Sequence, residues 1–96
     1  MKAAVYIMTN EHHTVLYTGV TSNLNERINQ HLTGKYPNSF TTRYNIRKLV
    51  WFEKFNPMND AIKKEKQLKA GSRNRKLELI NRLNPGWIDL SLDLTD

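Results

Sequence analysis

Two tyrosines, an arginine, a histidine and a glutamate stand in this chain at spacings that could serve phosphoryl chemistry. Val5-Tyr6-Ile7 and Leu16-Tyr17-Thr18-Gly19 each put a tyrosine directly after an apolar residue; ten residues separate the phenols, and Arg27 follows ten positions after Tyr17. Hydrolysis of a phosphodiester needs a base for the attacking water, a cation for the charge on the pentavalent phosphate and usually a divalent metal held by a carboxylate. A tyrosine has an ordinary pKa of about 10, so it serves as a base only beside a cation that lowers it. Arg27, Lys69 or a bound metal could supply that field. The sequence holds no zinc-type His/Asp cluster, no Ser-His-Asp spacing signal and no phosphate-cradling glycine loop.

The elements that must position these groups follow from the pattern of apolar residues. Lys2 to Met8 reads as a strand, Thr9 to His13 as a polar hairpin connection, and Thr14 to Thr18 as a second strand ended by Gly19. The hairpin brings both tyrosines onto neighbouring strands. Ser22 or Asn23 then caps a helix, and Asn23 followed by Glu26 has the logic of a capping box. Leu24, Ile28 and Leu32 form its apolar stripe and Gly34 stops it. Lys35 to Asn45 reads as a loop, Ile46 to Phe55 as a third strand, Asp60 to Ala70 as a second helix, and Arg73 to Arg82 as a third helix capped by Ser72. After the Asn84-Pro85-Gly86 turn, Trp87, Ile88 and Leu90 are expected to dock the tail. The order β-β-α-β-α-α implies an α+β fold, a three-stranded antiparallel sheet flanked by helices. One domain over residues 1–90 is expected, with an acidic tail over 91–96 that frays.

Polar groups on the apolar faces are the informative positions. At about 100° per residue, Glu65 falls ~40° from Ala61 and ~60° from Leu68, inside the apolar arc of its helix. An inward carboxylate is costly unless paired or bound to a metal. It could simply pair with Lys69 at the helix edge; it could also be a metal-binding or general-base carboxylate. On the first helix, Arg27 and His31 lie one turn apart on the flank of the buried stripe. Arg27 alone reads as solvated and His31 alone as structural, but with both tyrosines and Glu65 they make a set expected to aim at one sheet face.

Charge agrees with an anionic partner. Residues 1–86 carry 15 basic against 6 acidic side chains, a formal +9, and the last ten residues hold three acids and no base. Nucleic acid is the commonest such partner, and a lysine-rich surface of no specific function is the plain alternative. There is no cysteine, which excludes disulfides and thiolate metal sites. No signal peptide and no run of roughly 18 apolar residues is present, so a cytoplasmic protein without membrane association is expected.

At these residues the chain resembles the GIY-YIG nuclease domain, in particular its small stand-alone bacterial members. Val5-Tyr6-Ile7 stands where the family has GIY, and Tyr17-Thr18-Gly19 where it has YIG. The helix arginine matches Arg27 within Leu24-Asn25-Glu26-Arg27-Ile28, the histidine matches His31, the metal-binding glutamate matches Glu65, and the late asparagine matches Asn84. The glycine of GIY is missing and Thr18 replaces the isoleucine of YIG. Neither change removes a chemical group.

The resemblance implies a Mg²⁺- or Mn²⁺-dependent endonuclease acting on nucleic acid, DNA rather than RNA. Glu65 would be its metal ligand, and Tyr6, Tyr17, Arg27, His31 and Asn84 the other catalytic residues. Lys35, Arg43, Tyr44, Arg47, Lys48, Lys69 and Arg73 are expected to bind the nucleic acid. Phe40 and Tyr44 could stack on an unpaired base; equally, Phe40 could plug the core while Tyr44 lies on the surface. No groove-reading helix is evident, so a flap, branch or single-stranded end is expected as substrate, in repair or recombination. A protein partner could supply specificity. The competing reading is a catalytically idle nucleic-acid-binding module or partner subunit.

Overall fold

In the computed structural model, which describes residues 2–36 and 39–94, three antiparallel strands run in the order β2-β1-β3. They are β1 (Ala3–Thr9), β2 (Leu16–Thr21) and β3 (Lys48–Phe55). As the middle strand, β1 is buried along its whole length, because both of its faces are covered. Side chains alternate across a strand, so Ala3, Val5 and Ile7 enter one core with Val50, Trp51, Ala61, Leu68 and Ile80. Ala4, Tyr6 and Met8 enter a second core with Leu24, Ile28, Ile46 and Leu49. Helix α1 (Leu24–Thr33) covers the second core. A short helix α2 (Phe40–Arg43) follows it, and α3 (Met58–Ala70) and α4 (Arg73–Leu83) cover the first core. The expected α+β architecture and element order hold, with α2 interposed.

Local chemistry explains the boundaries. Asn23 Oδ1 caps α1 by accepting from Glu26 N at 3.1 Å, and its side-chain amide donates to Glu26 Oε2 at 3.4 Å; its backbone N–H donates to Thr21 Oγ1 instead of closing the expected capping box. Gly34 closes α1 at φ 67°. Ser72 Oγ caps α4 by accepting from Arg75 N at 3.3 Å.

Several expectations are corrected. Strand β2 starts at Leu16 rather than Thr14, because Asn10 Oδ1 accepts from Thr14 N and Val15 N and winds residues 10–15 into a side-chain-closed turn. It also runs through Gly19 to Thr21 instead of ending there. The segment read as a loop over 35–45 contains α2, whose N-cap Ser39 Oγ accepts from Thr42 N at 3.3 Å. Ile46 bonds back to Thr41 O at 2.8 Å and stays outside β3, so that strand begins at Lys48. In the tail, Leu90–Asp93 is a 3-10 turn, and Leu90 and Leu94 pack against the second core. Residues 95–96 lie outside the described set. Of the three docking residues expected there, Ile88 is 63% exposed and does not dock.

Register between β1 and β3 slips once. Ile7 pairs with Trp51 but Met8 pairs with Leu49, leaving Val50 as the extra residue of a bulge. Asn84 closes that irregularity. Its side-chain amide donates to Val50 O at 3.2 Å and to Ile88 O at 2.8 Å, while its Oδ1 accepts from Ile88 N at 3.1 Å.

Candidate active site

Tyr6 and Tyr17 reach one face because their strand partners say so. Tyr6 pairs with Gly19 and Tyr17 with Met8, and directly opposed residues share a face. That face is covered by α1, which contributes Arg27 and His31 one turn apart. The ring centroids of Tyr6 and Tyr17 are 6.3 Å apart, with His31 5.8 Å from the first and 5.6 Å from the second. Gly19 makes room for this. A Cβ at that position would overlap Tyr6 Cζ and Oη and stand 2.9 Å from Cε1. The mid-strand glycine is therefore the seat on which the Tyr6 ring lies across β2.

Hydrogen bonds fix the protons. Tyr6 Oη lies 3.0 Å from His31 Nε2, and His31 Nδ1 lies 2.8 Å from Thr41 Oγ1. Burial pushes the Tyr6 phenol up to about 12 against the pull of Arg27. His31 is driven down to about 4, first by burial and then by the Arg27 charge. Arg27 is itself raised, chiefly through its interaction with the Tyr6 hydroxyl. At neutral pH the cluster therefore holds a protonated phenol, a neutral imidazole and a guanidinium. A neutral imidazole can accept the Tyr6 hydroxyl proton at Nε2 while its Nδ1–H faces Thr41 Oγ1. In that tautomer His31 donates from Nδ1 to Thr41 Oγ1. Arg27 Nη1 also donates to Gln30 Oε1 at 3.0 Å, and its guanidinium carbon stands 5.9 Å from the Tyr36 ring centroid.

These protonation states have a consequence for stability. In the unfolded chain His31 binds a proton near its ordinary pKa of about 6.5, whereas in the folded chain it does so only near 4. Between those values the unfolded state holds more protons, so stability falls as pH drops from about 6.5 to 4. The expected loss from this group is on the order of 2–3 kcal/mol. Urea denaturation at pH 7, 5.5 and 4 should show the midpoint falling across that window, and the fall should be smaller in His31→Gln.

Glu65 is not on the tyrosine face. Its helix α3 packs against the opposite core, beside the edge strand β2. Tyr6, Tyr17, Arg27 and His31 thus come from β1, β2 and α1, while Glu65 comes from a helix that packs on the other core. The charges still meet, because the Glu65 carboxylate helps raise the Tyr6 phenol. The Glu65 side chain is 14% exposed and its Oε2 is 2.9 Å from Lys69 Nζ, so the helix-edge pair is present. Among the described residues no three His, Cys, Asp or Glu side chains gather to hold a metal ion. A single carboxylate nevertheless suits Mg²⁺, which keeps several waters and takes substrate phosphate oxygens as further ligands.

Asn84 is not brought to the phenols. It is 5% exposed, and its side-chain amide is fully used by the bulge and the turn after α4. Its place is that of a support for β3. Lys48 and Arg73 converge on the hairpin turn, with Lys48 Nζ 3.1 Å from His13 Nε2 and Arg73 donating to His13 O at 3.1 Å. Lys35, Arg43, Tyr44 and Arg47 are exposed, and Lys69 is half-exposed beside Glu65.

One contributor escaped the sequence reading. Thr41, 2% exposed, holds the His31 tautomer; the signal for it was Ser39-Phe40-Thr41-Thr42, a cap pattern that marks a helix start. Phe40 stacks on Tyr17 at 6.0 Å and 27° rather than plugging a core.

Comparison with known proteins matches this geometry. The GIY-YIG catalytic domain family matches residues 2–78. This chain belongs to the GIY-YIG family. Its relatives include a UPF0213 protein of Syntrophus aciditrophicus, 39% identical over 84 residues covering 88% of this chain and 94% of the relative. A UPF0213 protein of Clostridium perfringens is 41% identical over 66 residues, 69% of this chain and 70% of the relative. The solution NMR structure of a UPF0213 protein from Bacillus halodurans shares 31% identity at a TM-score of 0.54, covering 90% of this chain and 88% of that one. The chain is thus a small bacterial-type GIY-YIG domain, and the family's activity is that of a nuclease, a hydrolase whose substrate is nucleic acid. GIY-YIG nucleases generally use divalent metals. Where YIG has isoleucine, Thr18 buries a hydroxyl that finds no hydrogen-bond partner among the described residues. No helix among them is long and apolar enough to cross a membrane.

Proposed function

We propose that this GIY-YIG domain is a Mg²⁺- or Mn²⁺-dependent endonuclease that cuts DNA at a flap, branch or single-stranded end, in cytoplasmic repair or recombination. The observation that carries the proposal is the convergence of Tyr6, Tyr17 and His31 within ring-contact and hydrogen-bond distance, with the Arg27 and Glu65 charges felt at the Tyr6 phenol. Tyr6 is 1% exposed and held protonated, so it acts as a fixed donor. Tyr17 is half-buried and open to solvent, and it is the phenol that can orient the attacking water. Arg27 offsets the negative charge that grows on the phosphoryl oxygens as the water oxygen bonds to phosphorus and the ester oxygen departs. His31 and Thr41 keep Tyr6 in register. A bound divalent ion, with Glu65 as its protein ligand, would polarise a phosphoryl oxygen. Lys35, Arg43, Arg47, Lys48, Lys69 and Arg73 would neutralise flanking phosphates, and a protein partner could add sequence choice.

One observation favours the competing reading of an idle binding module: Lys69 already occupies the Glu65 carboxylate. A panel of labelled single strand, duplex, flap, fork and four-way junction, incubated with Mg²⁺, Mn²⁺ or chelator, separates the two. Nicking of branched or flapped substrates only with metal is expected. Binding of equal strength with and without metal, never followed by a cut, would establish the idle module.

A further inference from the structure

Three aromatic rings leave the tyrosine cluster in a row. Phe40 stacks on Tyr17 with centroids 6.0 Å apart, and Tyr44 lies against Phe40 at 4.6 Å. Phe40 opens α2 and Tyr44 is its C-cap, four positions on, and their rings meet in direct contact. Each is 47% exposed. Half of the exposed large hydrophobics among the described residues, Tyr36, Phe40 and Tyr44, fall within this one short stretch. Exposed rings in a row beside a reaction centre are not explained by the core, which they do not complete.

The rings are also rigidly mounted. Ser39 caps α2, Thr42 Oγ1 donates to Tyr36 O at 3.1 Å, and Thr41 is tied to His31 at 2.8 Å. Tyr44 then walls a groove of about 630 Å³ that it shares with Arg47 and Lys48. Glu11 and Asp89 also line it, but the Asp89 carboxylate is engaged by Leu49 N and Ser91 N at 3.2 and 3.0 Å. Exposed Lys35, Arg43 and Arg47 flank the row.

We infer that Phe40 and Tyr44 form a stacking platform for unpaired bases of the strand that carries the scissile phosphate, leading it from Tyr17 towards the Tyr44 groove. This deepens the nuclease reading above and rests on it for the position of the scissile bond. Every base has a face that can stack on an aromatic ring, and the adjoining cations meet the backbone, the two components of single-strand binding. Bases inside a duplex are already stacked and paired, so the platform favours an overhang over a blunt end. It selects structure without reading sequence.

Binding is measured in chelator by fluorescence anisotropy, with one hairpin duplex bearing a blunt end, a five-nucleotide DNA overhang, the same overhang made abasic, or an RNA overhang. The wild-type protein should bind the DNA overhang at least about tenfold more tightly than the blunt or abasic forms, since a stacked base contributes that much or more. A Phe40→Ala/Tyr44→Ala variant should bind all of them at the blunt level, and Phe40→Leu, which keeps the apolar bulk, should lose most of the preference. The overhang held more tightly, DNA or RNA, identifies the strand the platform serves. Equal wild-type affinity for intact and abasic overhangs would overturn the inference, as would weakening of blunt-end binding by the double variant to the same degree. The abasic comparison needs no variant to fold. Ring-dependent binding by a protein that never cuts would sink the nuclease reading and leave the platform standing. Cutting without overhang preference would do the reverse.

Discussion

Glu65→Gln should lower metal-dependent nicking by about three orders of magnitude, roughly 4 kcal/mol of transition-state stabilisation, with the fold intact. The substitution keeps the shape of the side chain and removes its charge. Glu65 is the acidic group whose field reaches the Tyr6 phenol, and a carboxylate is the protein's one means there of holding a hard cation. Folding should barely respond. Among the described residues the ion pair lost is with Lys69, which is 54% exposed, and i,i+4 pairs at such positions contribute a few tenths of a kcal/mol. Single-turnover rates on the preferred substrate, read beside thermal melts, distinguish the two effects. Wild-type nicking by the variant would remove Glu65 from the site.

Arg27→Ala should cost about 10²–10³ in the same single-turnover rate, the range seen when a charge-stabilising donor is removed from a transition state. Arg27→Lys should recover only part of it, because a point charge does not replace a planar fork that serves two phenols and a phosphate at once. A second readout does not depend on catalysis. Burial and, after it, the Arg27 charge hold His31 down, and Arg27 lowers Tyr6 against its burial. Without Arg27, the His31 pKa should rise from about 4 towards its ordinary value and the Tyr6 pKa should rise further. NMR titration of the His31 ring would show the first shift. A lost rate with no movement at His31 would mean that Arg27 does not face the cluster in solution.

Strong local signals survived the passage from sequence to structure. The cap Asn23-Glu26, the stop at Gly34 and the alternation through β1 predicted elements that are present within a few residues. Errors arose where side chains bond to backbone over short distances. Asn10 folds the start of the expected second strand into a turn, and Ser39 turns a polar loop into α2. Both residues were legible as turn formers, but hydrophobic periodicity does not register them. Ile46 was misplaced into β3 because burial, which it has in full, does not distinguish a strand residue from a buried linker.

By itself the sequence determined which groups are available and their order: two phenols with ten residues between them on a hairpin, an arginine and a histidine one turn apart on a helix, and one carboxylate within an apolar arc. It also determined the charge that an anionic substrate meets. Tertiary structure decided which of these groups meet. Strand register put Tyr6 over Gly19, packing of α1 carried His31 to Tyr6, and the placement of α3 across the sheet brought Glu65 from the opposite side. It also used Asn84 to close a bulge and stacked Phe40 on Tyr17. The physical reason is that periodicity reports which way a side chain leaves its own element. Proximity between elements, and the proton positions that follow from shared burial, depend on register and packing, which no local window contains.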